Sequence, residues 1–204
     1  MSDTRSIAAL YSGVSYQHRS WTEPKYNQYL SAVLYAPELT ETSFDPYDVV
    51  IVPSRVHKGL MDRINPWLQR FVDNGGTVVV FWPQTVDSLA SHWENRPTNF
   101  WWWLDKDAKS GLQLQKPEYD LFNYLTLEDA TWHYHGVFWP PEGAEALITT
   151  EDNGAILYVD KVSSSKGTWI VSTLDPEFHY GSYFMPATER FLDGFMPWLA
   201  KGAI

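Results

Sequence analysis

Three successive segments constrain the fold of this chain more than any other feature. Asp48-Val-Val-Ile-Val52 is an unbroken β-branched run closed by Pro53. A strand that reads this way has apolar neighbours on both faces, as the strands of parallel sheets do. Leu60, Ile64, Trp67, Leu68 and Phe71 then recur at spacings of three and four, an amphipathic helix that stops at Asn74-Gly75-Gly76. Thr77-Val-Val-Val-Phe-Trp82 is a second buried strand, ended by Pro83. Strand, helix and strand with short Gly or Pro joints predict right-handed β-α-β units. The expected class is α/β: three layers, with a mainly parallel central sheet flanked by helices.

The remaining elements fit around that unit. Ile7–Tyr11 reads as a first buried strand running into Ser12-Gly13. Thr22 is placed to cap a helix with Glu23 and Pro24 in its first turn and Tyr26, Tyr29, Leu30 and Val33 on one face. In the second half, Tyr119–Leu127 reads as a short helix, and Trp132–Trp139 alternates as a strand until Pro140-Pro141. Ala146–Thr150, Ala155–Val159 and Thr168–Thr173 read as short strands, and Glu151-Asp-Asn-Gly154 is a hairpin turn. These extra short strands are expected to be antiparallel. Ala187–Leu199 is a final helix, and Pro197 within it predicts a kink or an early end. Without a repeat or low-complexity linker, the 204 residues are expected to form one domain, 1–204.

Composition excludes several function classes. A formal net charge of −10 repels nucleic-acid phosphates and anionic membranes. No apolar run approaches the ~20 residues of a membrane span. The opening Met-Ser-Asp-Thr-Arg has no charged-then-apolar leader, so a cytoplasmic location is expected. Zero cysteines removes disulfides, thiolate metal sites and thiol nucleophiles together. The chain carries 11 Trp, 12 Tyr and 10 Phe, which must be buried or exposed for a purpose. Phe100-Trp101-Trp102-Trp103 cannot all point inward on any regular element. That cluster predicts burial in a homo-oligomer, with a flat ligand such as a sugar ring as the alternative.

Three stretches together carry a family resemblance. They are Y-D-V-V-I-V-P-S at 47–54 with the helix and strand that follow, D-A-T-W-H-Y-H-G-V-F at 129–138 ahead of G-A-E-A-L at 143–147, and G-T-W-I-V-S-T-L-D-P-E-F-H at 167–179. Their order and spacing resemble the flavodoxin-like fold of class I glutamine amidotransferase-like proteins, with the closer likeness to trehalose-utilisation-like and uncharacterised branches. In that class the strand after the Gly-Gly element leads to a nucleophilic cysteine, and a His-Pro-Glu triplet supplies the base. Here the first position reads Phe81-Trp82-Pro83-Gln84 and the triplet reads Asp175-Pro176-Glu177. Tryptophan is no nucleophile, and a carboxylate pair lacks an imidazole's proton-shuttling range. Glutamine hydrolysis by the family's mechanism is therefore excluded on chemical grounds.

Candidate site residues lie where strands end, since open α/β sheets place their sites beyond the carboxyl ends. Asp175, Glu177 and His179 are the catalytic candidates. Ser54, Arg55, His57, Trp82, Gln84, Tyr16 and His18 are the ligand-binding candidates, with Arg55 suited to a carboxylate or phosphate. His133 and His135, two apart, are the metal candidates, able to join Asp175, Glu177 and His179 in one mixed cluster for a divalent ion; the competing view is that the histidines are half-buried hydrogen-bonding groups. Two functions stay open. The first is a degenerate, non-catalytic amidotransferase-like domain that needs no cofactor and binds a small molecule or a protein partner. The alternative is a metal-assisted hydrolase or isomerase that uses a divalent ion on a carbohydrate-like substrate.

Overall fold

The computed structural model describes residues 4–82, 89, 91–98, 107–185 and 188–204. Its strands are β1 Ile7–Tyr11, β2 Ala32–Tyr35, β3 Val49–Val52, β4 Thr77–Phe81, β5 His92–Asn95, β6 Gln113–Leu114, β7 Gly136–Trp139, β8 Glu145–Thr149, β9 Ala155–Asp160 and β10 Thr168–Ser172. Its helices are α1 Ser15–Thr22, α2 Pro24–Asn27, α3 Lys58–Asp73, α4 Pro176–Gly181 and α5 Glu189–Lys201.

All ten strands join one sheet in the order β2-β1-β3-β4-β10-β9-β7-β5, with β8 on β9 and β6 on β8. β2, β1, β3, β4 and β10 run parallel. From β9 onward every pairing is antiparallel. The sheet is therefore mixed, and the expectation of a mainly parallel one holds for only half of it. The cause is connection length: a parallel neighbour needs a crossover of a dozen or more residues. Residues 150–154 and 161–167, which join β8 to β9 and β9 to β10, are too short for that.

The β-branched run at 49–52 shows why its residues are apolar throughout. Val49 and Ile51 face α5 and Trp21, together with Ile7, Val79, Phe81 and Ile170. Val50 and Val52 face α3, against Met61, Ile64, Leu68 and Val72. Each such side chain withdrawn from water contributes about 1.5–3 kcal/mol.

Several local expectations are corrected. Thr22 closes α1 rather than capping the next helix, its hydroxyl donating back to the His18 carbonyl at 2.8 Å. Glu23 is the extended joint before the four-residue α2. Ala32–Tyr35 is an edge strand on β1, not helix. The unpaired main chain at the edge of β1 outcompetes the helical spacing of Tyr29, Leu30 and Val33, which still pack against the core. Tyr119–Leu127 contains only a 3₁₀ turn at Asp120–Asn123. Pro197 does not end α5, which continues to Lys201. Apolar burial on both sides of the proline outweighs one missing backbone bond, and Arg5 donates to the carbonyls of Leu199 and Gly202 at 2.9 and 2.7 Å. The aromatic run at 100–103 lies outside the described residues.

Candidate functional site

β3, β4 and β10 pair in register, with Val52 opposite Val80 and Ser172 opposite Phe81. The chain therefore leaves β3 and β10 at one rim. Two loops meet there through Glu177, the second residue of α4. The backbone N–H and the hydroxyl of Ser54 both donate to Glu177 Oε1, at 2.7 and 2.5 Å. Ser20 on α1 donates to the Glu177 carbonyl at 2.7 Å.

Gln17 fixes the same loop from the other side. Its amide nitrogen donates to the Ser54 carbonyl at 2.8 Å, and its oxygen accepts from the backbone and hydroxyl of Ser12. Tyr16 adds a hydroxyl donor to that carbonyl at 3.2 Å. Close packing of α4 on α1 requires Gly181, where a Cβ would sit 2.1 Å from the Tyr16 carbonyl oxygen.

Arg55 is held in the left-handed region, φ +60°, a conformation that costs a non-glycine residue about 1 kcal/mol. Its partners explain why it persists. One terminal nitrogen donates to the Ser54 hydroxyl at 3.0 Å, and the other lies 2.8 Å from Asp175 Oδ2. The guanidinium also sits 4.1 Å from the centre of the Phe178 ring, a cation–π contact.

Asp175 immediately precedes α4, so His179 stands one turn above it. Nε2 of His179 is 3.1 Å from Asp175 Oδ1, without hydrogen-bond alignment. His133 packs edge-on to His179 with ring centres 4.9 Å apart, and His135 lies 5.3 Å from His133. Thr98 meets Nδ1 of His135 at 3.0 Å. His133, Asp175 and His179 each present a donor atom within 4.8 Å of the other two.

Burial sets the protonation of the cluster. Asp175, Glu177 and His179 are 2 %, 0 % and 0 % exposed. Burial drives the Glu177 carboxyl up to about 7, with the Asp175 charge adding to it and the Ser54 donors offsetting part. Burial would raise Asp175 as well, but His179 and the Arg55 guanidinium outweigh it and hold the carboxyl at about 2. Burial, followed by the neighbouring His179, lowers His133 to about 4. At neutral pH, Asp175 is thus a fixed anion and His133 a neutral donor, while Glu177 is divided between its protonated and ionised forms.

Of the residues picked from sequence, Asp175, Glu177, His179, Ser54, Arg55, Tyr16, His133 and His135 come together. Three described candidates do not. His57 caps α3, its Nδ1 accepting from the Gly59 N–H. His18 is exposed and rests edge-on against Tyr11. Trp82 packs against Trp93 and Phe138 on the α3 face of the sheet, whereas Trp132, beside His179, belongs to the α5 face. Gln84 lies outside the described residues. The two histidines sit on the loop before β7 rather than within a strand, so strand alternation was the wrong reason for their proximity. Gln17, Ser20 and Phe178 escaped the sequence reading. Gln17 and Ser20 share the buried face of α1 with Trp21, but polar side chains give no sign of burial in the sequence. A separate groove, lined by Arg5, Asp45, Asp48 and Asn74–Thr77, opens at the opposite rim, where the strands begin.

No protein-family model matches the chain, and no curated protein matches it. Solved structures do. The mmIFT52 N-terminal domain superposes with a TM-score of 0.58 at 13 % identity, covering 98 % of this chain and 99 % of that one. A glutamine amidotransferase from Thermotoga maritima gives 0.56 at 10 % identity, covering 95 % and 83 %. The exo-β-1,4-mannosidase Op5Man5 from Opitutaceae bacterium strain TAV5 gives 0.54 at 10 % identity; the match covers 96 % of this chain but only 36 % of the mannosidase. At these identities the likeness defines a fold alone: mixed α/β, with a large helix-flanked sheet of the amidotransferase-like kind. No helix among the described residues is long and apolar enough to cross a membrane.

Proposed function

We propose that this chain is a non-catalytic domain of amidotransferase-like fold that binds a small molecule or a protein partner at the carboxyl rim of its parallel strands. One observation carries this reading: the groups that would have to do chemistry are turned inward and engaged with one another. Glu177 holds the Ser54 loop, and Asp175 is held by Arg55 and set against His179. A general base must reach a substrate proton, and carboxylates at 0–2 % exposure do not. What faces outward is a binding edge: Arg55, with 31 % of its side chain exposed, and the half-buried Tyr16 and His135. A guanidinium beside aromatic rings suits a carboxylate or a sugar phosphate.

A second reading, a metal-assisted hydrolase or isomerase on a carbohydrate-like substrate, draws on the approach of His133, Asp175 and His179. Catalytic metal sites keep a coordination position open to substrate, and the burial of all three residues counts against that. Self-association through the aromatic run at 100–103 belongs to the same proposal; Trp102→Ala should lower the mass measured by light scattering.

The test is a titration with small carboxylates and sugar phosphates, followed by tryptophan fluorescence and by chromatography of the ligand. A saturable change that is lost in Arg55→Ala, with every compound recovered intact, is expected. Conversion of any compound to product, or ammonia release from glutamine, would overturn the reading.

A further inference from the structure

We propose that His133, Asp175 and His179 form a closed site for one divalent transition-metal ion of the zinc class, tying α4 to the loop that precedes β7. The inference is independent of whether the rim binds a ligand. Three observations carry it.

The first is the donor set. Two imidazoles and a carboxylate, all buried, place their donor atoms within 4.8 Å of one another. Nitrogen and oxygen donors in this ratio suit zinc, cobalt or nickel rather than magnesium or calcium, which take oxygen.

The second is the state of His179. It is fully buried, yet neither ring nitrogen has a hydrogen-bond partner. A buried polar atom left this way is costly and calls for an explanation such as a bound ion. Nε2 approaches Asp175 Oδ1 to 3.1 Å without alignment. Two donors on one tetrahedral ion, bonded at 2.0–2.1 Å, stand roughly 3.3 Å apart. That spacing, with the lone pair directed away from the oxygen, fits two ligands converging on a third point.

The third is the surroundings. Arg55 forms an ion pair with the same carboxylate, 2.8 Å from Oδ2 but without hydrogen-bond alignment, and Oδ1 is the oxygen set against His179. Ligating carboxylates are ordinarily fixed by such an outer partner. His135 lies beside His133, and with its Nδ1 engaged by Thr98 its other nitrogen is the candidate fourth donor. The mixed cluster expected from sequence is thereby narrowed to His133, Asp175 and His179, since Glu177 is engaged by Ser54.

The whole chain, stripped of metal by chelation, is titrated with cobalt(II) and followed in the visible range. The expected result is saturation at one ion per chain, with the intense absorption of a four-coordinate site, displacement by zinc(II) and a rise in unfolding midpoint. His179→Gln and Asp175→Asn should each weaken binding about 100-fold or more. His57→Gln and His92→Gln, at exposed positions, should leave it unchanged. Absence of a saturable spectrum at millimolar cobalt overturns the proposal, as does binding that survives both core substitutions or disappears in either surface variant. Should the core variants fail to fold, X-ray absorption at the zinc edge of the wild-type complex decides. A nitrogen and oxygen shell with at least two imidazoles sustains the site, and a shell with one imidazole or none overturns it.

Discussion

Two arginine–aspartate pairs, one in each half of the sheet, show how differently the same chemistry is used. In the parallel half, Arg55 meets Asp175, whose carboxylate is 2 % exposed and also faces His179. In the antiparallel half, Arg96 grips Asp152 through two parallel bonds of 2.9 and 2.6 Å, and its Nε donates to Glu94 at 3.0 Å. The second pair has the better fork geometry, yet Asp152 is 56 % exposed. Geometry alone would rank the Arg96 pair higher. Desolvation reverses the ranking, because an orphaned charge at the surface is rescued by water and a buried one is not.

Removing one partner should expose that reversal most clearly. Arg55→Ala leaves the buried Asp175 carboxylate without its arginine counter-ion, and should destabilise the fold by about 3–5 kcal/mol in urea unfolding. A loss indistinguishable from that of a surface substitution would mean that water reaches the rim freely, and the contrast between the halves would collapse.

The pH dependence sharpens the contrast further. Glu177 is held at about 7, above the ordinary carboxyl value. Its contribution is therefore complete below pH ~4.5 and is lost as pH rises through about 7, a change of about 3 kcal/mol. Asp175 has the opposite sign: held at about 2, it contributes above its ordinary value and loses that contribution as acid is added. Unfolding midpoints should peak between pH about 4 and 5. Glu177→Gln keeps an acceptor for Ser54 and should flatten the alkaline side of that profile. An unchanged slope would mean that Glu177 titrates as an ordinary exposed carboxyl.

The two halves also differ in how much of them the sequence made legible. β3, α3 and β4 were readable because strand burial on both faces and a 3.6-residue period are written locally in Asp48–Trp82. That the loops carrying Ser54 and Glu177 share one rim followed, since parallel strands bring their ends together; the hydrogen bonds between them did not. β2 was misread because Tyr29, Leu30 and Val33 satisfy a helical period while the decision rests on the distant edge of β1. The antiparallel half was partly legible in its short joints, such as Glu151–Gly154, which cannot carry a crossover. His133 and His135 reach His179 from a loop, and no periodicity encodes a loop's path. Gln17 was invisible for another reason: a polar side chain reads as surface until its two partners, Ser12 and Ser54, are seen around it.

Glycines test the same contrast at lower amplitude. At Gly181 an added Cβ would meet the Tyr16 carbonyl oxygen at 2.1 Å and the Ser20 hydroxyl at 2.6 Å. Gly181→Ala must push α4 off α1, costing about 2–3 kcal/mol and loosening Glu177 from Ser54. Gly143, in the antiparallel half, has φ +89° but meets only a Val162 methyl at 3.3 Å, so Gly143→Ala should cost about 1 kcal/mol, chiefly backbone strain. Thermal unfolding of both variants should preserve this order. A reversed order would place the tighter packing in the outer half.

The smallest effect is expected where the hydrogen bonds look best. Asp152→Ala removes both Arg96 forks and the Thr150 hydroxyl bond at 2.5 Å. Arg96 keeps Glu94 as a counter-ion, and solvent replaces Asp152. The unfolding midpoint should therefore shift little at low salt, and less still at high salt, where exposed charges are screened. A large shift that persisted in high salt would show that Arg96 draws its stability from burial over Trp139, whose ring lies 6.0 Å from the guanidinium, rather than from charge. In that case the two arginines would be alike after all, each anchored by an aromatic ring, and exposure would cease to be what separates them.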